Sequence, residues 1–336
     1  MDILFTINNK YIDIMLTSLL SIIINGNLEK IRLHVVTSEC TDEDIDKIKR
    51  FIDLYDNIEL HIYRLEDNPI DNYGIPNWRG SQIANARLFY PRIIKDEVGD
   101  IENLLYIDSD TITVGDLFTL KEYDVHPINA CLDESSVSSY YADELNLEKY
   151  YNSGVLYYNV NDYLNLDMEY RIEDYINSAV TSLTFPDQDL INLLLKDEIN
   201  QLPPRYNMSG YTTIKSEIAG NMFYNPKIRQ LSFDEIKEER KHKKILHSYG
   251  FFNVKPWTKN NVNPFNDEFM KYMEQVNPEF TKEELKRVKK LLTICPALFK
   301  TLYLIRPYLP KTVEKNMRSK SLTLQKAIDK KKNTNN

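Results

Sequence analysis

Short apolar runs alternate with longer amphipathic stretches through the amino-terminal third of the chain. The runs have the length and the β-branched content of buried strands, whereas the stretches between them repeat apolar residues at helical spacing. The pattern predicts a strand over 3–7, a helix over about 11–25, a strand over 31–36, a helix over about 41–54 and a strand over 58–63. Strands that alternate with helices predict an α/β fold, in which helices cover both faces of a mostly parallel sheet.

Residues 104–110 read Leu-Leu-Tyr-Ile-Asp-Ser-Asp, an apolar run that ends in two carboxylates separated by one residue. Residues i and i+2 of a strand point to the same side, so Asp108 and Asp110 are expected to converge. Two carboxylates at one point can hold a hard divalent cation, and such a cation can bind the diphosphate of a nucleotide. A solvated turn after a strand is the competing interpretation of so short a motif.

Ligands of open α/β sheets bind beyond the carboxyl ends of the strands. Asn8-Asn9 and Asp108-Ser109-Asp110 both follow predicted strands, so we expect them to be neighbours in space. The chain contains no Gly-x-Gly-x-x-Gly and no Gly-Lys-Ser/Thr loop, which leaves a metal as the means of holding a diphosphate. A further strand is predicted over 151–161. Asp187 precedes a helical run over 190–195, and we expect it to be the N-cap of that helix whether or not it also has a role in a site.

Composition limits the class of protein. The chain has 336 residues, 42% of them apolar, which is enough for a large core. Its three cysteines are far apart and form no Cys-x-x-Cys pair, so we expect neither a disulfide framework nor a thiolate metal site, and a reducing cytoplasm fits best. The apolar stretch 14–24 is followed by no cleavage site, which favours a packed helix over a signal peptide.

Charge divides the chain into two parts. Residues 282–336 contain 15 Lys and Arg against 4 Asp and Glu, a net charge of +11, whereas residues 1–281 contain 27 against 46, a net charge of −19. The basic part is also rich in apolar and aromatic residues, but charges and prolines interrupt every span that could cross a bilayer. We expect it to lie on an anionic leaflet, at the inner face of the plasma membrane. Helices packed on the catalytic domain are the alternative, and the acidic remainder argues against nucleic acid as a partner.

Five ordered pieces resemble glycosyltransferase family 8, in particular its bacterial lipopolysaccharide galactosyl- and glucosyltransferase branch, with glycogenin as a distant relative. They are the strand before Asn8-Asn9, Ala86-Arg87-Leu88, Leu105 to Asp110, Asn152-Ser153-Gly154-Val155 with Asp187-Gln188-Asp189, and His247 followed by Gly250 and Lys255-Pro256-Trp257. The resemblance ends at about Trp257. We therefore expect a catalytic domain over 1–258, a connecting segment over 259–281 and a basic amphipathic C-terminal extension, with helices, over 282–336.

The resemblance implies a GT-A fold and the retaining transfer of glucose or galactose from a UDP-sugar to a cell-surface glycan, glycolipid or glycoprotein. It also implies a divalent cation held by Asp108, Asp110 and His247, a mixed nitrogen and oxygen set that suits Mn²⁺ better than Mg²⁺. The other implied contacts with the UDP-sugar are Thr6 and Asn8 at the base, Tyr11 stacked on the uracil, Asp108 and Ser109 near the ribose and metal, Arg87 at the sugar or diphosphate, Asn152, Ser153, Asp187 and Gln188 around the sugar, and Gly250 and Lys255 at the departing UDP.

Two positions depart from the family pattern. Asn8 stands where relatives often carry Asp, and four residues separate Gly250 from Lys255 where two are usual, so this loop must bulge for Lys255 to reach the phosphates. The expected catalytic residues are Gln188, Asp187 and Arg87. A double displacement needs a carboxylate nucleophile behind the anomeric carbon, and the family position holds Gln188, a poor nucleophile.

We therefore expect front-face substitution, with a double displacement on Asp187 as the alternative. The rival functions are a sugar nucleotidyltransferase and a non-catalytic module that binds sugar nucleotides or glycans.

Overall fold

The structure is a computed structural model that describes residues 1–67, 69–78, 80–133, 142, 145–178, 183–213, 231–249, 255–259 and 263–282. The strands are β1 (Asp2–Asn8), β2 (Ile31–Ser38), β3 (Ile58–Arg64), β4 (Asn103–Ile107), β5 (Thr111–Thr113), β6 (Ile128–Leu132), β7 (Tyr151–Asn159), β8 (Ile199–Leu202), β9 (Met208–Ser209) and β10 (Ile245–His247). The helices are α1 (Ile12–Asn25), α2 (Asp42–Ile52), α3 (Tyr90–Val98), α4 (Val160–Leu164), α5 (Met168–Ser178), α6 (Pro186–Leu194), α7 (Phe233–Glu239) and α8 (Asn266–Val276).

Seven strands form the main sheet, in the order β3-β2-β1-β4-β7-β6-β8. Strands β3, β2, β1 and β4 are parallel neighbours, and β6 and β8 are parallel to each other. Strand β7 is antiparallel to both of its neighbours, so it alone runs in the opposite direction in this sheet. The prediction of an α/β fold with a mostly parallel sheet is confirmed, and the carboxyl ends of β1 and β4 lie side by side.

The strands are apolar on both sides because each face of the sheet is covered. Leu4 and Tyr106 belong to the buried cluster that includes residues of α3 to α6, whereas Phe5 and Ile107 belong to the cluster that includes residues of α1 and α2. Adjacent residues of one strand thus enter opposite cores, as the two-residue period of a strand requires. The apolar runs of β1 and β4 are therefore continuous in the sequence and do not alternate between apolar and polar residues.

A second, three-stranded sheet lies beside the first, in the order β5-β10-β9. Its Ile112, Met208 and Leu246 share a third apolar cluster with residues of α1 and α8. Helix α8 lies within residues 259–281, the segment expected to be a connection, and it packs on α1, where Asn25 Nδ2 donates to Tyr272 Oη at 2.8 Å. The boundary at 258 stays a prediction, and residues 283–336 lie outside the part of the chain that the structure describes.

Candidate active site

The two carboxylates of the Asp-Ser-Asp motif follow β4 but are not part of it. Strand β4 ends at Ile107, and residues 108–110 form the turn into β5. The expectation that strand pleating brings the carboxylates together is therefore wrong. Backbone pairing with two other segments does so instead: Asp108 N donates to Gly154 O at 2.7 Å, and Asp110 O accepts from Ser248 N at 3.0 Å.

The turn brings both carboxylates to His247. Strand β5, which begins directly after Asp110, pairs with β10 so that Thr111 lies opposite His247. His247 Nε2 lies 3.2 Å from Asp110 Oδ1 and 3.6 Å from Asp108 Oδ2. One atom of each of the three side chains lies within 4.8 Å of the other two, a spacing that a single metal ion can bridge.

Gly154 leaves room for this triad. A Cβ at position 154 would overlap His247 Cε1 and would lie 2.7 Å from Asp108 Oδ2. Two carboxylates and one imidazole suit a divalent transition metal such as Mn²⁺. The donor set and the space beside it therefore fit the cation that the resemblance implies.

Two cations of the protein flank the triad. Arg87 Nη2 lies 3.0 Å from Asp108 Oδ1, and Lys255 Nζ pairs with Asp110 Oδ2 and donates to Ser248 O at 3.1 Å. Burial by itself would raise the pKa of Asp110, but the charges of Lys255 and His247 outweigh it and hold this pKa well below its ordinary value. Lys255 thus reaches the site, whereas Gly250 and the rest of 250–254 lie outside the described residues.

Arg87, from the short 3-10 helix Ile83–Leu88, connects the acidic turn to α6. Its Nε lies 3.2 Å from Asp187 Oδ2, and its Nη1 donates to Ser153 O at 2.6 Å. The guanidinium carbon also lies 4.3 Å from the centre of the Tyr106 ring. Burial opposes the charge of Arg87, but Asp108 and Asp187 more than compensate, and the pKa of Arg87 is raised above its usual value. Arg87 is therefore a permanent positive charge inside the site.

Gln188 and Asn152 form a buried amide network at the start of α6. Gln188 Oε1 accepts from Ser153 N at 3.0 Å and from Asn152 Nδ2 at 3.1 Å, and Gln188 Nε2 donates to Asp133 Oδ2 at 3.1 Å. Ser153 Oγ donates to Asp187 Oδ2 at 2.8 Å. The structure thus brings the residues expected around the sugar into one cluster beside the triad.

Asp187 does not cap α6. The N-cap residue, Phe185, has no side-chain cap, and Asp189 instead accepts from Thr184 N at 2.7 Å and from Phe185 N at 2.9 Å. The expectation that Asp187 is the N-cap is therefore wrong. Because Asp189 satisfies the backbone at the helix start, the carboxylate of Asp187 can pair with Arg87.

The residues expected around the base lie at the end of β1, next to β4. Thr6 Oγ1 lies 3.1 Å from Tyr106 Oη, which donates to Asp108 Oδ1 at 2.6 Å. Asn8 Oδ1 accepts from Lys10 N at 3.1 Å, and Tyr11 packs edge-on against Trp257, with ring centres 6.0 Å apart. Ser109 is buried in the turn. Their roles at the nucleotide stay predictions.

Four residues that sequence reasoning did not assign also contribute to the site: Tyr106, Asp133, Gly154 and Asn207. Tyr106 and Gly154 stand inside motifs quoted above, where their positions next to candidate residues were a usable signal. Asp133 and Asn207 stand in no such motif, and Asn207 Oδ1 lies 2.8 Å from His247 Nδ1. Only the fold brings these two side chains to the site.

Two glycosyltransferases are among the solved structures with a similar fold. The galactosyltransferase LgtC, solved with donor and acceptor sugar analogues, superposes with a TM-score of 0.61 at 21% identity and covers 82% of this chain and 96% of LgtC. The bifunctional glycosyltransferase WbbM superposes with a TM-score of 0.64 at 17% identity, over 81% of this chain and 49% of WbbM. The fold is GT-A, as the resemblance implied.

The family described as glycosyl transferase family 8 matches residues 2–261. The chain belongs to this family. It is 28% identical over 202 residues to general stress protein A of Bacillus subtilis, covering 57% of this chain and 65% of that protein. It is also 26% identical over 209 residues to a lipopolysaccharide 1,2-glucosyltransferase of Escherichia coli, covering 60% of this chain and 59% of the relative. The matches thus span less than two thirds of the length of these relatives.

Proposed function

We propose that the protein transfers a hexose from a UDP-sugar to a sugar acceptor, with retention of configuration, in a reaction that depends on a divalent cation. The observation that carries the proposal is the convergence of Asp108, Asp110 and His247 within 4.8 Å beside the Gln188 network. Family membership supports glycosyl transfer itself. Mn²⁺ is the proposed cation, because imidazole and carboxylate together favour it over Mg²⁺.

The charges around the triad suit the departure of a diphosphate. A cation held there would neutralise the negative charge that grows on the leaving phosphate. Lys255 is long and half-buried beside Asp110, so its ammonium is placed to pair with the same phosphate when the donor binds. Arg87 stays charged and holds Asp108 and Asp187 at fixed positions through its own contacts.

The contacts of Asp187 and Gln188 favour front-face substitution. Asp187 Oδ2 already contacts Arg87 Nε and accepts from Ser153 Oγ, so this oxygen is engaged and is a poorer nucleophile. Gln188 is neutral and is held by Ser153 N and Asp133. We therefore assign both residues to orientation of the sugar. A covalently glycosylated Asp187 peptide, trapped with a slow donor and found by mass spectrometry, would support the double displacement instead.

The relatives suggest the substrates. One named relative is a lipopolysaccharide 1,2-glucosyltransferase and the superposable LgtC is a galactosyltransferase, so glucose or galactose is the proposed sugar and a cell-surface glycan or glycolipid the proposed acceptor. The two hexoses differ by one epimeric hydroxyl, whose recognition has to be measured.

A panel of UDP-sugars tests the proposal. Each sugar is added with Mn²⁺ or with EDTA, and the melting temperature and the release of UDP are measured. We expect one UDP-hexose to raise the melting temperature and to release UDP slowly, in both cases only with Mn²⁺. Asp110→Asn is the matched control and should abolish both effects. Formation of UTP and a sugar 1-phosphate when pyrophosphate is added, without release of UDP, would indicate a nucleotidyltransferase, and stabilisation without any turnover would indicate a binding module.

The proposed location is the cytoplasmic face of the membrane, on which residues 282–336 would lie through their net charge of +11. Within the part of the chain that the structure describes, no helix combines the length and the apolar character needed to span a bilayer. The proposal for the basic segment therefore rests on its sequence, and deletion of residues 290–336 tests it.

A further inference from the structure

A chain of side-chain amides leads from the backbone of β7 to the ring of His247. Gly154 N donates to Asn152 Oδ1 at 2.9 Å. The same Asn152 oxygen lies 2.8 Å from Asn207 Nδ2, and Asn207 Oδ1 lies 2.8 Å from His247 Nδ1. All four residues are in the interior of the site, where His247 is only 2% exposed and Asn207 only 3%.

The backbone determines the direction of every hydrogen bond in this chain. A backbone N–H can only donate, so the Asn152 atom that faces Gly154 N must be the oxygen. The Asn207 atom that faces this oxygen must then be the NH₂ group, which turns the Asn207 oxygen towards His247. An oxygen can only accept, so His247 Nδ1 must carry a hydrogen.

The opposite end of Asn152 supports the same assignment. Asn152 Nδ2 donates to Asp133 Oδ2 at 3.1 Å and to Gln188 Oε1 at 3.1 Å. A reversed Asn152 would point its oxygen at two other oxygens and its NH₂ group at the Gly154 N–H. Both errors would leave buried polar groups without partners, which is strongly unfavourable.

We propose that Asn207 is a positioning residue that keeps a hydrogen on His247 Nδ1 and thereby turns Nε2 towards Asp108 and Asp110, where a bound cation would meet it. Metal-binding histidines usually donate their second nitrogen to a protein oxygen, which fixes both the tautomer and the ring orientation. This inference rests on the proposed function only in so far as it assigns the metal to Nε2. The hydrogen on Nδ1 is already required in the metal-free protein, where Nε2 lies 3.2 Å from Asp110 Oδ1.

Asn207 also connects the triad to the sugar-facing network. Its NH₂ group donates to Asn152, which in turn donates to Gln188. A displacement of Asn152 by a bound sugar would therefore be transmitted to His247 through two hydrogen bonds, one from Asn207 to Asn152 and one from His247 to Asn207. Loss of Asn207 should therefore weaken metal binding and also make it less sensitive to the donor.

Two variants separate these roles. Asn207→Ala removes both contacts, whereas Asn207→Asp retains an oxygen for His247 but has no hydrogen to offer Asn152. Asn129→Ala is the control, because Asn129 is also a buried asparagine with a single donated hydrogen bond, to Asp124 O, near the amino ends of the strands.

The hydrogen on Nδ1 is detected by ¹H–¹⁵N NMR of the imidazole rings in metal-free protein, through its slow exchange with water. The chain has only five histidines, and His247→Ala identifies the relevant signal. We expect a slowly exchanging Nδ1–H signal in the unmodified protein, in Asn207→Asp and in Asn129→Ala, and its loss in Asn207→Ala. Absence of this signal from the unmodified protein, or an unchanged signal in Asn207→Ala, would overturn the proposal.

Mn²⁺ affinity, followed by electron paramagnetic resonance, is the second measurement. We expect Asn207→Ala to weaken Mn²⁺ binding roughly 10- to 100-fold, Asn207→Asp to restore most of the loss and Asn129→Ala to have no effect. Equal affinities in Asn207→Ala and the unmodified protein would overturn the role in metal binding. If the unmodified protein bound no Mn²⁺, the proposed function would fail, and the NMR result would still decide what Asn207 does.

Discussion

Two buried histidines in this protein each lie against aspartate, and only one of them belongs to a candidate active site. His34, on β2, is fully buried near the amino ends of the strands. Its Nδ1 lies 3.1 Å from Tyr63 Oη and its Nε2 lies 3.1 Å from Asp2 Oδ1, which also pairs with Arg32. Each nitrogen of His34 therefore has one partner, and the single carboxylate already has a cation.

His247 differs in what faces its second nitrogen. Its Nε2 faces two carboxylates, Asp108 and Asp110, which approach it from one turn. Two close carboxylates repel each other unless positive charge lies between or beside them, and Arg87 and Lys255 supply that charge on their outer sides. Burial of a histidine against an aspartate therefore does not by itself indicate an active site. What distinguishes His247 is that oxygen atoms of two carboxylates converge on one of its nitrogens, where a metal ion could bind.

The most decisive test replaces one aspartate beside each of the two histidines with asparagine. Asp110→Asn should keep the fold but lower kcat about 1000-fold. Removal of a charged ligand weakens the binding of the cation, which stabilises the transition state by several kcal/mol. Asp2→Asn, the matched control at His34, should keep kcat close to normal. Both are measured as UDP release with Mn²⁺, with circular dichroism to verify folding. Near-normal turnover of Asp110→Asn would remove the basis of the proposed function.

The two histidines should also differ in their effect on metal dependence. His247→Ala removes a ligand outright, so it should raise the Mn²⁺ concentration needed for half-maximal activity by more than the roughly 10- to 100-fold expected when only a supporting residue is lost. His34→Gln should leave it unchanged. The unmodified enzyme should be more active with Mn²⁺ than with Mg²⁺. Full activity in EDTA would contradict both the metal and the role of His247.

Sequence patterns predicted the main sheet well, because its strands and helices are local features. Strand β1 was expected over 3–7 and spans Asp2–Asn8, and α2 begins after Thr41, whose Oγ1 accepts from Asp44 N in a capping box. The small sheet β5-β10-β9 was not predicted. Its strands are two or three residues long and are defined by pairing between distant segments, which no local pattern records.

The candidate site was predicted to the extent that its residues stand in short motifs. Asp108, Asp110 and His247 were named together, and the structure places them together. A turn rather than a strand aligns the two carboxylates, so the prediction from strand pleating was wrong. Asn207 was missed because nothing nearby in the sequence shows that its amide will lie between His247 and Asn152.

His34 should affect stability rather than activity. Burial lowers the pKa of His34 below its ordinary value of 6.5, although its bond to Asp2 opposes this. As the pH falls below 6.5, the unfolded chain takes up a proton that the folded protein does not, so the free energy of unfolding decreases. The pKa of Asp2 is also lowered, but its contribution is lost only below 3.8. The two windows are therefore separate.

The measurement is the melting temperature between neutral and mildly acid pH. It should fall less in His34→Gln than in the unmodified protein, because glutamine can bond to Tyr63 and Asp2 without titrating. His126→Gln is the control for replacing a histidine at the surface, because the His126 side chain is 67% exposed. Identical curves for His34→Gln and the unmodified protein would show that His34 does not titrate differently on unfolding.

Deletion of residues 290–336 should have the smallest effect on the active site, because the deleted segment contains none of the candidate site residues. Donor hydrolysis and the metal requirement should be unchanged. Binding to vesicles that contain anionic lipid should be lost, and transfer to a lipid-linked acceptor should slow. Salt should produce the same loss in the full chain, because surface attraction is screened beyond a Debye length of about 8 Å at physiological ionic strength.

Co-sedimentation with anionic and with neutral vesicles measures this binding, and the melting temperature of the shortened protein is the control. If the shortened protein melts at the same temperature but no longer sediments with anionic vesicles, the segment acts on location alone. If it instead aggregates or loses UDP-sugar binding, the segment is part of the folded catalytic domain, as the packed-helix alternative states. The basic charge would then serve stability or solubility, and the membrane proposal would be wrong.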